Sequence, residues 1–224
     1  VSIPPKGYHK RFLEICRKHD VLYISDEVVT AWGRLGHWFA SEDVYGIVPD
    51  IITTAKGITS GYQPLGACII SDKLIKQVSS DDMPESYFSN GFTYSGHPVA
   101  CAAALKNIEI IEKEGILEHA RSVTPHLQSR LQEMRDIPIV GDVRGEGLLG
   151  CIECDITNGQ NQDEVLALDH EIGKRIDAHC HSMGLFVRPM INMCVFSPPC
   201  IITKSQIDEM MDIMTEAVKL TMRD

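Results

Sequence analysis

Two side chains of opposite charge stand where chemistry can be done. Asp26 follows the apolar run Val21-Leu22-Tyr23-Ile24-Ser25, and Lys56 follows a second run, Asp50-Ile51-Ile52-Thr53-Thr54. They lie 30 positions apart, the gap expected of two strand ends joined by one crossover. In open parallel sheets, ligands bind beyond the carboxyl ends of the strands. A carboxylate and an amine close together there shift each other's protonation, and a desolvated Lys is the usual imine-forming nucleophile. A structural salt bridge is the alternative reading of the same pair. A third stretch, Phe92-Thr93-Tyr94-Ser95-Gly96-His97-Pro98, opens a helix. Hydroxyls and unpaired backbone N–H groups at a helix N-terminus make an anion site suited to a phosphate. Plain N-capping by Ser95 is the alternative there. A lysine, an acid and a phosphate-sized anion site together point to pyridoxal phosphate.

These residues need elements to hold them. Pro5 precedes Tyr8, Phe12, Ile15 and Cys16 at helical spacing, so an amphipathic helix is expected, ending near His19-Asp20. The apolar run 21–25 suits a strand buried on both faces of a parallel sheet. Strands follow at Asp50–Thr54 and Ala67–Ser71, separated by the turn-rich Gly57–Gly66. Pro98–Glu114 reads as a helix closed by Gly115, and Leu117–Met134 as another. Strands near Val140–Val143 and Leu148–Glu153, a helix over Glu164–Met183, and strands at Leu185–Arg188 and Cys194–Phe196 come next. Thr203-Lys204-Ser205-Gln206 has the capping-box pattern. The last helix then puts Ile207, Met210, Met211, Met214, Ala217 and Val218 on one face, read as core packing. The expected fold class is α/β. Residues 1–115 alternate helix and buried strand, as a doubly wound α/β domain with a mainly parallel sheet does, and residues 116–224 read as a smaller α+β domain.

Composition bounds the partners. The chain has 224 residues, 21 Lys+Arg against 31 Asp+Glu, and a net charge of −10. Its 44% hydrophobic and 23% charged residues are those of an ordinary globular protein able to bury a core. The acidic balance argues against nucleic acid or an anionic membrane as partner. No uninterrupted apolar stretch is long enough to span a bilayer. The start, VSIPPKGYHK, has no export-signal pattern and no Met, and reads as a cut end. The eight cysteines are expected to be reduced. Cys151 and Cys154 are the closest pair, but positions three apart on a strand face opposite ways. They are read as buried small hydrophobes and no metal site is expected.

Motif order then carries a resemblance. Ser25-Asp26-Glu27-Val28-Val29-Thr30-Ala31-Trp32-Gly33-Arg34-Leu35-Gly36 resembles the DEVxxGFGRxG pattern of class III, or ω-transaminase type, aminotransferases. Pro49–Gly57, Gly61-Tyr62-Gln63-Pro64-Leu65-Gly66 and the Phe92–Pro98 stretch resemble the same family in order and spacing. So do Val143–Leu148, Arg188-Pro189 and Ser197-Pro198-Pro199, so the resemblance covers essentially the whole chain. It implies a pyridoxal-phosphate transferase of fold type I that moves an amino group from an ω-amino acid or amine to pyruvate or another 2-oxo acid. It also implies a homodimer and a cytoplasmic enzyme, or a mitochondrial one if a removed leader carried a transit peptide. A same-fold aminomutase or decarboxylase, or a catalytically silent fragment that only pairs with another subunit, remain the alternatives.

The resemblance assigns roles. Lys56 corresponds to the Schiff-base lysine, and Asp26 to the partner of the pyridine nitrogen. Val28, two residues on in an extended segment, would pack on the ring face. Thr93 corresponds to the phosphate ligand lent across the dimer interface to the neighbouring subunit's cofactor. Arg188 corresponds to the mobile arginine for a substrate carboxylate, apt because of its bidentate fork, with a surface ion pair as the alternative. Trp32 replaces the usual Phe and either narrows the substrate region or repacks it. Val29 stands where ornithine- and γ-aminobutyrate-type members carry Gln, which favours the ω-amino-acid:pyruvate group. Glu27 belongs to the motif without assigned chemistry. Family members are about twice as long. Their N-terminal half supplies a Gly-Ser phosphate loop and a stacking aromatic, so this chain is expected to need that half.

Overall fold

The computed structural model describes residues 1–79, 90–155 and 162–223. It has two compact units, one of Pro4–Leu117 and one of Glu118–Asp224 with Val1–Ile3. No helix among the described residues is long and apolar enough to cross a membrane.

The first unit runs α1 (Tyr8–Lys18), β1 (Ile24–Asp26), α2 (Ala40–Asp43), β2 (Ile51–Thr54), a 3-10 turn (Lys56–Thr59), β3 (Ala67–Ile70), α3 (Asp72–Val78) and α4 (Pro98–Lys113). Its sheet has the order β1-β2-β3. β1 and β2 are parallel, as expected of a helix-bearing crossover. β3 enters antiparallel to β2, which the run Ala67–Ser71 alone did not indicate. β1 starts at Ile24, three residues later than its apolar run. The Asp50 carboxylate takes the Tyr23 N–H at 2.8 Å, and the Tyr23 carbonyl accepts from the Asp50 and Ile51 amides, so a side chain replaces the first rung of the ladder. Asp50 also accepts from Arg17 at 2.5 Å, tying α1 to the sheet. Burial pushes the Asp50 carboxyl up, but the bonds from Arg17 and the Tyr23 amide outweigh it and hold it below the ordinary value.

The expectation of a strand buried on both faces is corrected. β1 is an edge strand, and Val21, Leu22 and Ile24 are at least half exposed in the described chain. The face of α1 is likewise only partly covered. Cys16 packs with Tyr23 and Ile47, and Phe12 meets Tyr23 edge-on at 5.7 Å, while Tyr8, Phe12 and Ile15 stay exposed.

The second unit takes up α5 (Ile116–Glu133), β4 (Val140–Glu146), β5 (Leu149–Cys154), α6 (Gln162–Ser182), β6 (Arg188–Met190), β7 (Met193–Phe196) and α7 (Lys204–Thr221). The sheet order is β4-β5-β7-β6, antiparallel throughout. Its core joins Leu127 and Leu131 of α5, Ile152 of β5, Ile176 of α6 and Ile207, Met211 and Met214 of α7, all essentially inaccessible. Gly150 lets α5 approach the sheet, since a Cβ there would collide with Leu131. Gln128 fastens the same helix to the β4–β5 hairpin by donating to the Gly147 and Leu149 carbonyls. α7 begins as its sequence pattern required: Thr203 and Gln206 form a reciprocal capping box. β6 starts at Arg188, not Leu185: its ladder with β7 begins at the pair Arg188–Val195.

No disulfide forms among the described residues, which include all eight cysteines. Cys151 and Cys154 are both buried in β5. Burial pushes the Cys154 and Cys180 thiols up to about 12, and Cys194 higher still. Thiols held so firmly protonated are poor metal ligands and poor nucleophiles. No group of metal-binding type occurs among the described residues.

Candidate active site

The parallel register sets Asp26 opposite Thr53, so the chain passes Thr54 and Ala55 and reaches Lys56 at the same carboxyl end of the sheet. Asp26 and Lys56 therefore leave neighbouring strands side by side, and both side chains are exposed. Among the described residues no ion pair joins them. Asp26 Oδ1 accepts from the Val28 amide at 3.0 Å, which fixes the carboxylate at the strand end. Lys56 opens the 3-10 turn with φ 41°, in the left-handed region, an unusual conformation for a side chain with a Cβ.

A buried carboxylate lies directly behind Asp26. Strand alternation turns Glu27 to the interior, where it is 2% exposed. Its two oxygens accept from the Ala40 and Ser41 amides at 2.7 Å each, from the Ser41 hydroxyl at 2.5 Å and from the Thr30 hydroxyl at 2.8 Å. Those amides are the first of α2, where a negative charge is also favoured by the helix end. Glu27 thus pins the Asp26 strand end to the loop that returns at Ala40. The motif contained this residue, but nothing in its spacing assigned it a task.

Trp32 occupies the other side. Its indole N–H donates to the Thr54 hydroxyl at 2.7 Å, and its ring meets Trp38 and Phe39 edge-on at 5.9 and 5.5 Å. A Cβ added to Gly57 would come within 2.6 Å of the Trp32 Cβ, so the turn after Lys56 rests on Trp32. These contacts describe how Trp32 packs and leave both sequence alternatives for it standing. Val28 differs from its expectation. β1 ends at Asp26 and residues 28–30 form a turn, so extended alternation does not aim the Val28 side chain.

The stretch Phe92–Gly96 is a turn leading into α4, and Thr93 within it is exposed. The N-cap of α4 is His97, with no side-chain cap bond. Ser95 does not cap the helix: its hydroxyl accepts from the Phe92 amide at 2.9 Å within the turn. The first N–H groups of α4 are thus not capped by a side chain of the helix entry. Arg188 belongs to the other unit. It is exposed at the start of β6 and borders a cavity of about 800 Å³ with Phe186, Val195, Phe196 and Pro198.

A residue not singled out by sequence reasoning completes the site. Asn107, in the middle of α4, donates from Nδ2 to the Gly57 and Ile58 carbonyls at 2.8 and 3.2 Å. Its Oδ1 accepts from the Ser60 hydroxyl at 2.7 Å. The one signal in the sequence is an Asn inside a helix, where it is a poor former and usually has side-chain business elsewhere.

Set against known proteins, residues 1–218 match the family model of class-III aminotransferases. The putrescine–pyruvate aminotransferase of Pseudomonas aeruginosa is 39% identical over 99% of the chain and 47% of its own length. The mitochondrial gamma-aminobutyrate transaminase 1 of Oryza sativa subsp. indica is 35% identical over 97% of the chain and 42% of its own length. Among solved structures, the PLP-bound aminotransferase mutant from Vibrio fluvialis superposes with a TM-score of 0.88 at 34% identity, over all of this chain and 49% of that one. The (S)-enantioselective omega-transaminase from Thermomicrobium roseum gives 0.88 at 35% identity, over 99% and 48%. The chain spans about half the length of the relatives it matches.

Proposed function

The chain belongs to the class-III aminotransferases, and from that premise we propose that it forms the lysine-bearing part of a pyridoxal-phosphate transaminase. The full protein moves an amino group from an ω-amino acid or amine to pyruvate or another 2-oxo acid. The observation that carries this reading is the placement of Asp26 and Lys56 at the carboxyl ends of adjacent parallel strands. The residues suit the cofactor. Asp26 offers a carboxylate already oriented by the Val28 amide, Lys56 offers an amine with no ion-pair partner among the described residues, and the turn before α4 offers hydroxyls and uncapped amides for a phosphate.

When bound, pyridoxal phosphate supplies an electron sink for the negative charge that develops at the substrate Cα. Lys56 Nζ would hold the cofactor until the substrate amine takes its place; the freed amine would then be the base that takes the proton from the substrate Cα and passes it to the cofactor carbon it had left. Asp26 would accept a hydrogen bond from the pyridine nitrogen and keep that nitrogen protonated. Val28, in the turn that follows Asp26, would border the ring. Thr93 serves the phosphate of a neighbouring subunit in a homodimer, and Arg188 receives a substrate carboxylate through its planar fork. Trp32 contributes through the turn it supports. In domain terms, residues 1–115 are the cofactor-binding portion and residues 116–224 the small domain. The compartment is the cytoplasm, or the mitochondrion for which the rice relative is named.

Alanine formation from pyruvate tests this function. The full protein loaded with cofactor is expected to make alanine with a diamine or ω-amino acid donor. Cofactor-loaded protein that makes none with any such donor overturns it.

A further inference from the structure

Three residues with a Cβ adopt left-handed backbone conformations around the Lys56 turn: Trp32 (φ 60°), Lys56 (φ 41°) and Ser60 (φ 50°). Such conformations persist only where the surroundings over-determine them. Two of the three bracket the 3-10 turn Lys56–Thr59, as the first residue of that turn and its C-cap. Something must therefore hold this turn, and Asn107 is placed to do so. It uses its full amide. Both Nδ2 hydrogens go to consecutive carbonyls, Gly57 and Ile58, and Oδ1 takes the hydroxyl of the left-handed Ser60. The carbonyls it binds follow Lys56 directly, so they fix the direction in which the chain leaves the lysine. Trp32 also rests against the turn, at Gly57.

We propose that Asn107 is a positioning residue for Lys56: it locks the strained turn from α4 and so sets the direction of the lysine amine. This rests on the reading of Lys56 as the cofactor-bearing lysine. The placement also has a chemical logic. α4 is the helix that the turn carrying Thr93 leads into. One rigid helix thereby ties the covalent attachment point to the segment proposed for a phosphate, through a side chain in its middle. A 1 Å misplacement of a catalytic group can cost roughly a hundredfold in rate, so a three-bond anchor at this point has a measurable task.

The test compares the full protein with Asn107→Leu, which keeps size and removes every polar atom, and with Ser60→Ala, an exposed change that releases only Oδ1. The readouts are the rate at which apoprotein captures added pyridoxal phosphate, followed by its visible absorbance, and the split between kcat and KM. Asn107→Leu is expected to slow capture and lower kcat about tenfold each while KM for the amine stays within about twofold. Ser60→Ala should move both rates in the same direction by about threefold, and it decides the matter if Asn107→Leu does not fold. Folded variants with capture and kcat within twofold of the parent overturn the proposal. Borohydride fixation of the parent separates the two failures. Label on Lys56 with unaffected variants sinks only the role of Asn107, whereas a parent labelled elsewhere sinks the Lys56 reading and this proposal with it.

Discussion

At the scale of single residues, the site divides into groups that face outward and groups that hold them. Asp26 and Lys56 face outward from the sheet end, and Glu27, Trp32, Thr54 and Asn107 hold the backbone behind them. The two classes predict different losses. Asp26→Asn keeps the shape and removes the charge proposed to hold the ring nitrogen's proton. The transamination rate should fall about 10²-fold, the scale of losing one fixed electrostatic contact to a reacting group, with the melting temperature little changed. Glu27→Gln should do the reverse. It puts an amide among four donors, costs about 1.5–3 kcal/mol in urea unfolding, and affects rate only through the population folded. A Glu27→Gln protein that unfolds like the parent contradicts the pinning role. The outward residues were legible in the sequence because the chemistry fixes their types. The holding residues were not, because Glu27, Trp32 and Asn107 are defined by partners 13 to 50 positions away.

At the scale of elements, periodicity and end signals placed the five longer helices among the described residues and passed over the short α2 and α3, and α7 shows why. Its cap is local, since Thr203 and Gln206 need only each other. Thr203→Ala should cost about 1 kcal/mol, read from the denaturation midpoint. Strand limits followed other rules. β1 is shortened by the Asp50 side chain, and β6 begins where its pairing with β7 begins, both facts about distant partners. The orientation of β3 was also absent from its own sequence. Burial within the second sheet makes a further prediction. Cys154, Cys180 and Cys194 are inaccessible and held as thiols by desolvation, so a maleimide at pH 8 should leave them unlabelled until the protein is unfolded. Rapid labelling of any of the three in native protein would contradict the packing described.

At the scale of the whole molecule, α1 and the sheet of the first unit are joined by one buried carboxylate, and this gives a pH dependence. The folded Asp50 carboxyl lies below its ordinary value. Its contribution is therefore present above the unfolded pKa of about 4 and lost as pH falls through the lower folded one. Asp50→Asn should cost about 1–3 kcal/mol near neutrality, and the difference should shrink below about pH 4. A cost that stays constant in acid would contradict the charged role of Asp50. Partly covered apolar residues on α1 and β1 belong to the same scale, in a chain about half as long as its relatives. Sequence periodicity reported their apolar character correctly and could not report what lies against them. The account stands or falls on Lys56. The most direct measurement is borohydride reduction of the full protein loaded with pyridoxal phosphate, followed by peptide mass mapping. The account predicts a single fixed adduct on the peptide containing Lys56, and its loss together with the visible absorbance in Lys56→Ala. An adduct on another lysine, or an unchanged visible band in Lys56→Ala, would contradict it.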